Sequence, residues 1–186
     1  MIPPDPHSPT VSFWSRALSG HPPALELPTT TARSPKQSIT TRQLALVLDA
    51  ESVSGLQGLA AGQGASLQEA LLAGVFALMY RTCGQDDVIL GLARSEGVVP
   101  LRVDLTGDPS LRDLISRVRT GLAGIDGVDA SPLEEILASV GVERAAALFQ
   151  VLVLLEPEAS VPDDCAGLDL VFDLAHEAEL SLTFNA

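Results

Sequence analysis

The sequence predicts an α/β fold, an α+β sandwich in which two to four helices pack on a mixed sheet of about five strands. Segments with helical and strand periodicity alternate through the first two thirds of the chain, and strands cluster in the last third. Hydrophobic residues make up 46% of the chain and aromatic residues only 4%, so the core is expected to consist mainly of Leu, Val and Ala. No strand is followed by a Gly-x-Gly-x-x-Gly turn, which disfavours a purely parallel, dinucleotide-binding sheet.

The first 38 residues are predicted to form a short helix, Val11 to Leu18, followed by a proline-rich arm. Proline lacks a backbone N–H and fixes φ, so the prolines that follow the helix exclude a helix interior or a central strand there; these are Pro22, Pro23, Pro28 and Pro35. Residues 39–186 are predicted to form a single domain, because 186 residues suit one domain of ordinary size.

The domain is predicted to begin with a strand and two helices. Ile39 to Leu48 alternates, with Leu44, Leu46 and Leu48 on one side. Ala50 to Ala61 has apolar residues at helical spacing and is followed by two glycines that favour its end. Ser66 and Glu69 have the spacing of a capping box, which predicts a second helix that ends at Cys83-Gly84.

The rest of the chain is predicted to contribute strands and two further helices. Val88 to Leu92 has the continuous apolar character of a buried strand, and Val98 to Leu105 is a second strand. Asp108 followed by Pro109 predicts the capped start of a helix, and Ser131-Pro132 predicts the same for a short helix that reaches Ala138. The last strands are predicted at Leu148 to Leu155, Leu168 to Leu174 and Glu179 to Phe184.

Charge is concentrated at the end of the sequence. The net charge is −13, and from Gly121 onward there are 13 acidic residues and one basic residue, Arg144. Such a field repels phosphate backbones and anionic lipids, so neither a nucleic acid nor a membrane is expected as a partner. The acidic segment is interpreted as a solvated face, with a docking patch for a basic partner as the alternative. The N-terminus does not resemble a secretory signal, so a cytoplasmic location is expected.

Candidate chemical groups are few and scattered. His7, His21 and His176 lie far apart, and Cys83 and Cys165 form no Cys-x-x-Cys pair, so no metal site, cofactor or disulfide is predicted. His176 lies at the turn between the last two predicted strands, and it is interpreted as a surface residue rather than a general base. The paired acids Asp86-Asp87 and Asp163-Asp164 are interpreted as turn residues rather than metal ligands. We therefore assign no catalytic residue.

Four stretches resemble, in order, the second half of the condensation domain of nonribosomal peptide synthetases. Residues 13–35, which include Phe13-Trp14 and Leu25-Glu26-Leu27-Pro28, are similar to the segment that crosses between the two lobes of that domain. Residues 65–91 resemble its long helix, its Gly-Gln-Asp-Asp turn and the strand that follows. Residues 104–119 and 148–155 resemble later segments. The resemblance implies one lobe of a chloramphenicol-acetyltransferase-like fold.

Departures from the family pattern are as informative. The family's His-His-x-x-x-Asp-Gly motif belongs to the first lobe, and no His-His pair occurs in these 186 residues. A long loop and helix of the family are reduced to residues 92–99. Residues 127–135 keep Asp129, Pro132 and one acid, Glu134 or Glu135, of a family segment but not its histidine. Ala145 to Ala147 replace polar residues. The core elements are thus preserved, whereas segments that line the cleft between lobes are shortened or altered.

The resemblance implies a truncated, degenerate C-terminal lobe, for which we expect a non-catalytic interaction or scaffold role in nonribosomal peptide (antibiotic) biosynthesis. Expected partners are adenylation or other synthetase components, or a second copy of the chain, because a lobe that packs against another lobe keeps an apolar surface. The alternative is half of a split acyltransferase or condensation enzyme whose catalytic histidine comes from a partner chain. A folded remnant without independent function is a third interpretation.

Overall fold

One mixed sheet runs through the part of the chain that the structure describes. The structure is a computed structural model, and it describes residues 9–28, 41–128, 131–165, 168–176 and 179–185. Its helices are α1 (Pro9–Ala17), α2 (Ala50–Ala61), α3 (Leu67–Cys83), α4 (Leu111–Asp126), α5 (Leu133–Ser139) and α6 (Ala145–Leu148), with a 3-10 turn at Asp163–Cys165. Its strands are β1 (Thr41–Val47), β2 (Asp87–Arg94), β3 (Gly97–Asp104), β4 (Val151–Leu154), β5 (Leu170–Asp173) and β6 (Glu179–Asn185).

The strand order is β1-β6-β5-β4-β2-β3. The two central pairs, β2 with β4 and β4 with β5, are parallel, and the three outer pairs are antiparallel. This arrangement confirms the prediction of an α/β fold with a mixed sheet. The sheet has six strands rather than about five, because all six predicted strand segments join it. The six described helices outnumber the two to four predicted to pack on the sheet; α1 corresponds to the helix predicted at Val11 to Leu18, and the one-turn α6 had not been predicted.

The two faces of the sheet carry different helices. Leu101 in β3 lies under α4, where a Cβ at Gly121 would come within 2.6 Å of Leu101 Cδ1. The next residue, Arg102, points to the other face and donates hydrogen bonds to carbonyls at the end of α1. We call these surfaces the α4 face and the α1 face. Because strand side chains alternate, the pairing register assigns every residue of the sheet to one face or the other.

Two polar side chains hold α1 and the segment after it against the sheet. Arg102 forms a two-point ion pair with Asp87, at 2.9 and 2.7 Å, and also donates to Ser19 O at 2.8 Å. Gln150 is buried; its Oε1 accepts from Leu25 N–H at 2.5 Å and its Nε2 donates to Ala146 O at 2.8 Å. Trp14, Leu18 and Leu25 belong to the same apolar core as the sheet; these residues are 3%, 1% and 4% exposed.

The start of α4 differs from the prediction. The N-cap is Ser110, whose Oγ accepts from Asp113 N–H at 3.2 Å while the Asp113 carboxylate accepts from Ser110 N–H at 3.2 Å. The prediction of Asp108 as the cap is wrong; Asp108 has φ +50° in the turn before the helix, and Pro109 lies outside the helix. The reciprocal box at Ser110 satisfies two backbone donors at the helix start, which a single cap at Asp108 would not do.

Two further predicted boundaries are wrong. Ser131 does not cap α5, because the N-cap position is Pro132 and no side chain caps the helix. Leu148 belongs to α6 rather than to a strand, and β4 begins at Val151. Three consecutive alanines favour a helical turn before the apolar run becomes a strand. No helix among the described residues has both the length and the apolar character that crossing a bilayer requires.

Candidate interaction surface

The candidate chemical residues are not brought together. His176 is exposed in the bend after β5, and His21 lies with Nδ1 3.1 Å from Pro22 O. His7 lies outside the described residues, as does Asp129. Among the described ranges, no three His, Cys, Asp or Glu side chains are grouped so that they could hold a metal ion.

The paired acids lie where elements begin: Asp86 is in the bend before β2, and Asp163 and Asp164 are in the 3-10 turn. Asp87 is the ion-pair partner of Arg102, while the Asp86 carbonyl accepts from Leu105 N–H at 2.5 Å. Asp163 begins the 3-10 turn. Sequence reasoning missed the role of Arg102, which depends on the register of β2 and β3. Asp104 pairs with Asp87, so Arg102, two residues before Asp104, lies diagonally opposite Asp87 on the same face.

The two cysteines form no disulfide with each other. Cys165 is buried and Cys83 is half-buried near the end of α3. Burial raises the pKa of the Cys83 thiol, and the nearby Glu26 carboxylate raises it further. A thiol with a raised pKa is a poor nucleophile at neutral pH, so Cys83 lacks the activation that thiol chemistry needs.

The shortened connection between β2 and β3 forms a closed hairpin. Ser95 and Glu96 make its turn, and Gly97 adopts φ +128°, a value that favours glycine. The Glu156 carboxylate accepts from Ser95 N–H at 2.7 Å, and hydrogen bonding to Ser95 lowers the pKa of Glu156. Arg94 forms an ion pair with Asp126 at 2.6 Å. These contacts connect the exposed hairpin turn to the end of α4 and to the segment after β4.

The other altered segments are also structured. In α6, Ala145 is buried while Ala146 and Ala147 are exposed, so the alanine run forms a one-turn helix with an apolar inner side. Glu134 and Glu135 are exposed on α5. None of these side chains points to a common polar centre that could position a reacting group.

A groove of about 700 Å³ lies between α1, β3 and α4. Arg102 lines it but is already bonded to Asp87, and the remaining charged residues of the lining are acidic. The indole N–H of Trp14 at its wall is buried without a hydrogen-bond partner. The groove thus offers apolar contact and carboxylates at its rim but no arrangement of acid, base and nucleophile.

The most exposed apolar surface is on β1 and β6. Leu44 pairs with Leu182, and Leu46 pairs with Leu180, so these four side chains share one face. Leu182 also pairs with Phe172 of β5, and Phe172 is in register with Val153 of β4. Followed through β2 to Leu101 of β3, this register places the four leucines on the α4 face. Leu44 and Leu46 are 60% and 55% exposed, while Leu180 and Leu182 are half-buried. We call this surface the open leucine face; its residues are Leu44, Leu46, Leu180, Leu182 and Phe184.

The opposite side of the same two strands is mainly polar, although it also carries Ala45 and Val47, which is 70% exposed. Gln43 pairs with Thr183 and donates from Nε2 to Ser181 Oγ at 3.1 Å. Every residue of β1 is exposed, although Leu44 and Leu46 have the apolar character of a core strand. The alternation that predicted β1 was therefore correct, but the layer that would bury its leucines is absent from the described part of the chain.

Comparison with known proteins identifies the type of domain. Residues 9–96 match the family described as "Condensation domain". A linear gramicidin synthase subunit of Brevibacillus parabrevis is 31% identical over 176 residues, which cover 86% of this chain and 3% of that protein. Malpibaldin synthetase of Mortierella alpina is 28% identical over 193 residues, covering 89% and 4%. The chain thus spans only a few per cent of the length of these curated relatives.

Solved structures agree on the fold. The X-domain from teicoplanin biosynthesis, in its complex with OxyB, has a TM-score of 0.78 at 21% identity, covering 95% of this chain and 47% of that one. The four-domain nonribosomal peptide synthetase AB3403, bound to AMP and glycine, has a TM-score of 0.84 at 16% identity, covering 97% and 18%. At these identities the likeness establishes the fold, and the chain matches about half of the isolated domain.

Proposed function

Because the chain is a partial condensation domain that corresponds to the C-terminal lobe, we propose that it serves as a non-catalytic interaction module in nonribosomal peptide biosynthesis. The observation that carries the proposal is the open leucine face. Leu44 and Leu46 expose more than half of their side chains next to half-buried leucines, and contiguous apolar surface of this kind marks sites where proteins associate.

The chemistry of the described residues supports a role without catalysis. The 186 residues contain no His-His-x-x-x-Asp-Gly motif, and His176 is exposed in the bend after β5. The Arg102 guanidinium that lines the groove is already bonded to Asp87 and to carbonyls at the end of α1. An interaction role requires none of these groups to titrate or react.

The structural neighbours support the same kind of role. One of them is a complex of the X-domain with OxyB, so a domain of this fold can act by binding another protein. We propose an adenylation domain or another synthetase component as the partner of this chain. Carrier domains tend to be acidic, and the 13 acidic residues after Gly121 would repel them.

A binding experiment tests the proposal. The full chain is immobilised and exposed, one at a time, to purified adenylation, carrier and condensation proteins from the same biosynthetic system. We expect saturable binding of an adenylation or condensation component and none of the carrier protein. Absence of binding to every component overturns the interaction role.

A second arm addresses the split-enzyme alternative. The chain is mixed with a protein that supplies the first lobe, and acyl or peptidyl transfer between carrier-bound substrates is followed by mass spectrometry. We expect no transfer above that of the first-lobe protein alone. Transfer that appears only with both proteins, and disappears when the partner's motif histidine is replaced by alanine, contradicts the non-catalytic role.

A further inference from the structure

We infer that the groove between α1, β3 and α4 receives an extended segment of a partner protein, which pairs with β3 as a seventh strand of the described sheet and carries basic residues at its N-terminal end. This surface is separate from the open leucine face, so the inference goes beyond the proposed function. It follows from the main-chain groups that β3 leaves unpaired, from the elements that form the groove and from the charges at one end of it.

The register of β3 with β2 shows which main-chain groups of β3 point away from the sheet. Pro100 has no N–H, so it suits a position whose main-chain groups are directed away from β2. Leu105 N–H donates to Asp86 O at 2.5 Å, so the position five residues later is directed toward β2. This direction alternates along an antiparallel pair. The outward groups of β3 therefore belong to Val98, Pro100, Arg102 and Asp104.

The outward groups in the middle of β3 are free to accept another strand. Asp104 O accepts from Arg117 Nη1 at 2.5 Å. Within the described ranges, no hydrogen bond joins Pro100 O, or the main-chain N–H and C=O of Arg102, to a group beyond the edge, and β3 is the last strand of the sheet on this side. One donor and two acceptors at a two-residue spacing form the pattern that an added strand completes.

The groove, of about 700 Å³, lies along this edge rather than on a face of the sheet. Its lining includes Leu101, which is on the α4 face, and Arg102, which is on the α1 face. It also includes both helices, and a Cβ at Gly124 of α4 would lie 4.0 Å from Phe13 Cζ of α1. Helices on opposite faces of a sheet can meet only past its edge. α1 and α4 therefore flank the position that a strand next to β3 would take.

The end of the groove near the start of β3 is apolar. Trp14 and Ile125 line it, and the same two residues line a smaller cavity beside Gly97 and Val99, where β3 begins. The indole N–H of Trp14 is buried there without a hydrogen-bond partner. This end favours apolar side chains in the added strand. Trp14 is the single tryptophan of the chain, so its fluorescence reports on the occupancy of the groove.

The other end of the groove is acidic. Asp86 and Asp104 are exposed there, and Asp104 pairs with Asp87 of β2. Among the described residues of the lining, Arg102 is the basic one, and it is already paired with Asp87. The surplus of carboxylates favours a cationic guest. Antiparallel pairs are slightly more stable than parallel ones, and a strand antiparallel to β3 places its N-terminal residues at this acidic end.

A second copy of the chain is a poorer occupant than a single extended segment. In a second copy, α1 and α4 flank β3 in the same way, so the helices of the two copies would collide before the strands could pair. Each copy also carries a net charge of −13, which opposes association. A volume of about 700 Å³ lies within the range of ligand sites and suits a short peptide segment.

A designed peptide tests the inference directly. The probe has two lysines followed by about six residues in which valine and threonine alternate, because both residue types favour extended strands. We expect saturable binding to the full chain, measured by the change in Trp14 fluorescence. A peptide with two glutamates in place of the lysines is expected to bind at least about tenfold more weakly.

N-methylation of the peptide separates strand pairing from side-chain contact. In an added strand, alternate N–H groups face β3 and the others face away from it. Methylating the set that faces β3 is expected to weaken binding at least about tenfold, because two or more hydrogen bonds are lost. Methylating the other set is expected to leave the affinity nearly unchanged, so one of the two methylated peptides should bind and the other should not.

Variants of the chain locate the contact. Asp86→Lys reverses an exposed charge at the acidic end and keeps the main-chain bond to Leu105, so it is expected to fold and to weaken peptide binding about tenfold or more. Glu158→Lys makes the same change in net charge at an exposed position outside the groove and is expected to bind like the unchanged chain. The glutamate peptide is expected to bind Asp86→Lys more tightly than it binds the unchanged chain.

Four results would overturn the inference. Equal binding of the two methylated peptides excludes strand pairing, and equal loss of binding in Asp86→Lys and Glu158→Lys excludes the groove. A dimer in light scattering that the designed peptide dissociates assigns the edge of β3 to a second copy. Tighter binding of a peptide of residues 29–40, which contain Arg33 and Lys36, assigns the groove to the chain itself.

The outcome is distinguishable from that of the proposed function. If a synthetase component binds the chain, the designed peptide does not bind and Asp86→Lys leaves binding of the component unchanged, then the interaction role stands and the strand site is wrong. If the peptide binds with the expected methylation pattern but no synthetase component binds, then the strand site stands and the proposed role in the biosynthetic system is wrong.

Discussion

Gly91 is a position where the packing of two elements leaves no room for a side chain. It lies in the middle of β2, and the ring of Phe149, which is fully buried, occupies the space that a Cβ would need. The ring is fixed at the end of α6, immediately before buried Gln150, so it has little freedom to move. A buried strand glycine of this kind reflects the close approach of a neighbouring side chain rather than a turn.

Gly91→Ala is expected to lower the free energy of unfolding by about 2–3 kcal/mol, because overpacking forces the Phe149 ring or the strand to shift. The measurement is urea unfolding followed by circular dichroism. Gly74→Ala is the matched control: Gly74 lies in α3 with open space around it, and alanine there is expected to raise stability by about 0.5–1 kcal/mol. Equal effects at the two sites would contradict the contact with Phe149.

Glu156 links acidity to the stability of the β2–β3 hairpin. Hydrogen bonding to Ser95 lowers its pKa below the ordinary value of 4.5, with Arg94 contributing a smaller effect. A carboxyl whose pKa is lower in the folded state stabilises the fold above its unfolded pKa. That contribution is lost as the pH falls through the folded value. The pH range over which Glu156 stops stabilising the fold therefore begins near pH 4.5 and extends to lower pH.

Glu156→Gln removes this titration but keeps an oxygen that can accept from Ser95. We expect the unchanged chain to lose more thermal stability than the variant between about pH 6 and pH 3, measured by the shift in Tm. Asp49, Asp104 and Asp113 also have lowered pKa values, owing chiefly to hydrogen bonds with Ser52, Thr106 and Ser110, and they titrate in both proteins. Parallel pH profiles would refute a role for Glu156.

Sequence reasoning at the residue level succeeded where one local pattern dominated. The Ser66–Glu69 capping box of α3 is present as predicted, with Glu69 N–H donating to Ser66 Oγ at 3.1 Å. At α4, two capping patterns overlap, and Ser110 with Asp113 forms the box in place of Asp108. The Arg102–Asp87 pair could not be predicted, because it depends on the register of two strands rather than on spacing along the chain.

At the scale of elements, α1 is fixed to the sheet by a few contacts at its C-terminal end. Arg102 bridges Asp87 and the carbonyls of Ser19 and Gly20, so one guanidinium joins β2, β3 and the end of α1. The pKa of Arg102 is raised chiefly by its hydrogen bonds to Asp87, which keeps it charged. A planar guanidinium can serve all these acceptors together, whereas an ammonium cannot.

Arg102→Lys is expected to loosen α1 and to lower the free energy of unfolding by about 1–2 kcal/mol, because the two-point pair and the carbonyl contacts cannot all be kept. Hydrogen exchange of the α1 amides should accelerate, and the emission of Trp14, buried in α1, should shift to longer wavelength. Arg119→Lys is the control, since Arg119 donates a bond to Gln63 O that lysine can replace. Unchanged exchange in α1 would contradict the anchoring role.

Most elements could be predicted from the sequence because their periodicity and end signals agreed. The long helix α3 and the hairpin of β2 and β3 follow from such signals. Boundaries failed where an apolar run changes from helix to strand, as at Leu148, since apolar character alone does not separate the two. The exposure of β1 could not be predicted either, because alternation indicates which side chains favour burial but not what covers them.

At the scale of the molecule, stability is expected to be uneven across the sheet. The central strands β2 and β4 are buried on both faces, and Gln68 of α3 donates to Leu155 O and to Leu174 O, just beyond the ends of β4 and β5. β1, in contrast, has one neighbouring strand in the described sheet, β6, and is exposed along its whole length. Few buried apolar contacts and exposed backbone hydrogen bonds are the features of a segment that opens locally.

Hydrogen exchange followed by mass spectrometry measures this gradient. We expect the amides of β2 and β4 to exchange only by global unfolding and those of β1 and the outer part of β6 to exchange by local opening, at least about a hundredfold faster. Leu90→Ala, in the buried centre, should lower the unfolding free energy by about 2–5 kcal/mol, whereas Leu44→Ala should change it by no more than about 0.5 kcal/mol. Equal protection of β1 and β2 in the isolated chain would mean that the open leucine face is already covered in solution. Slow exchange in β1 that appears only when a partner is added identifies this edge as the part of the lobe that association completes.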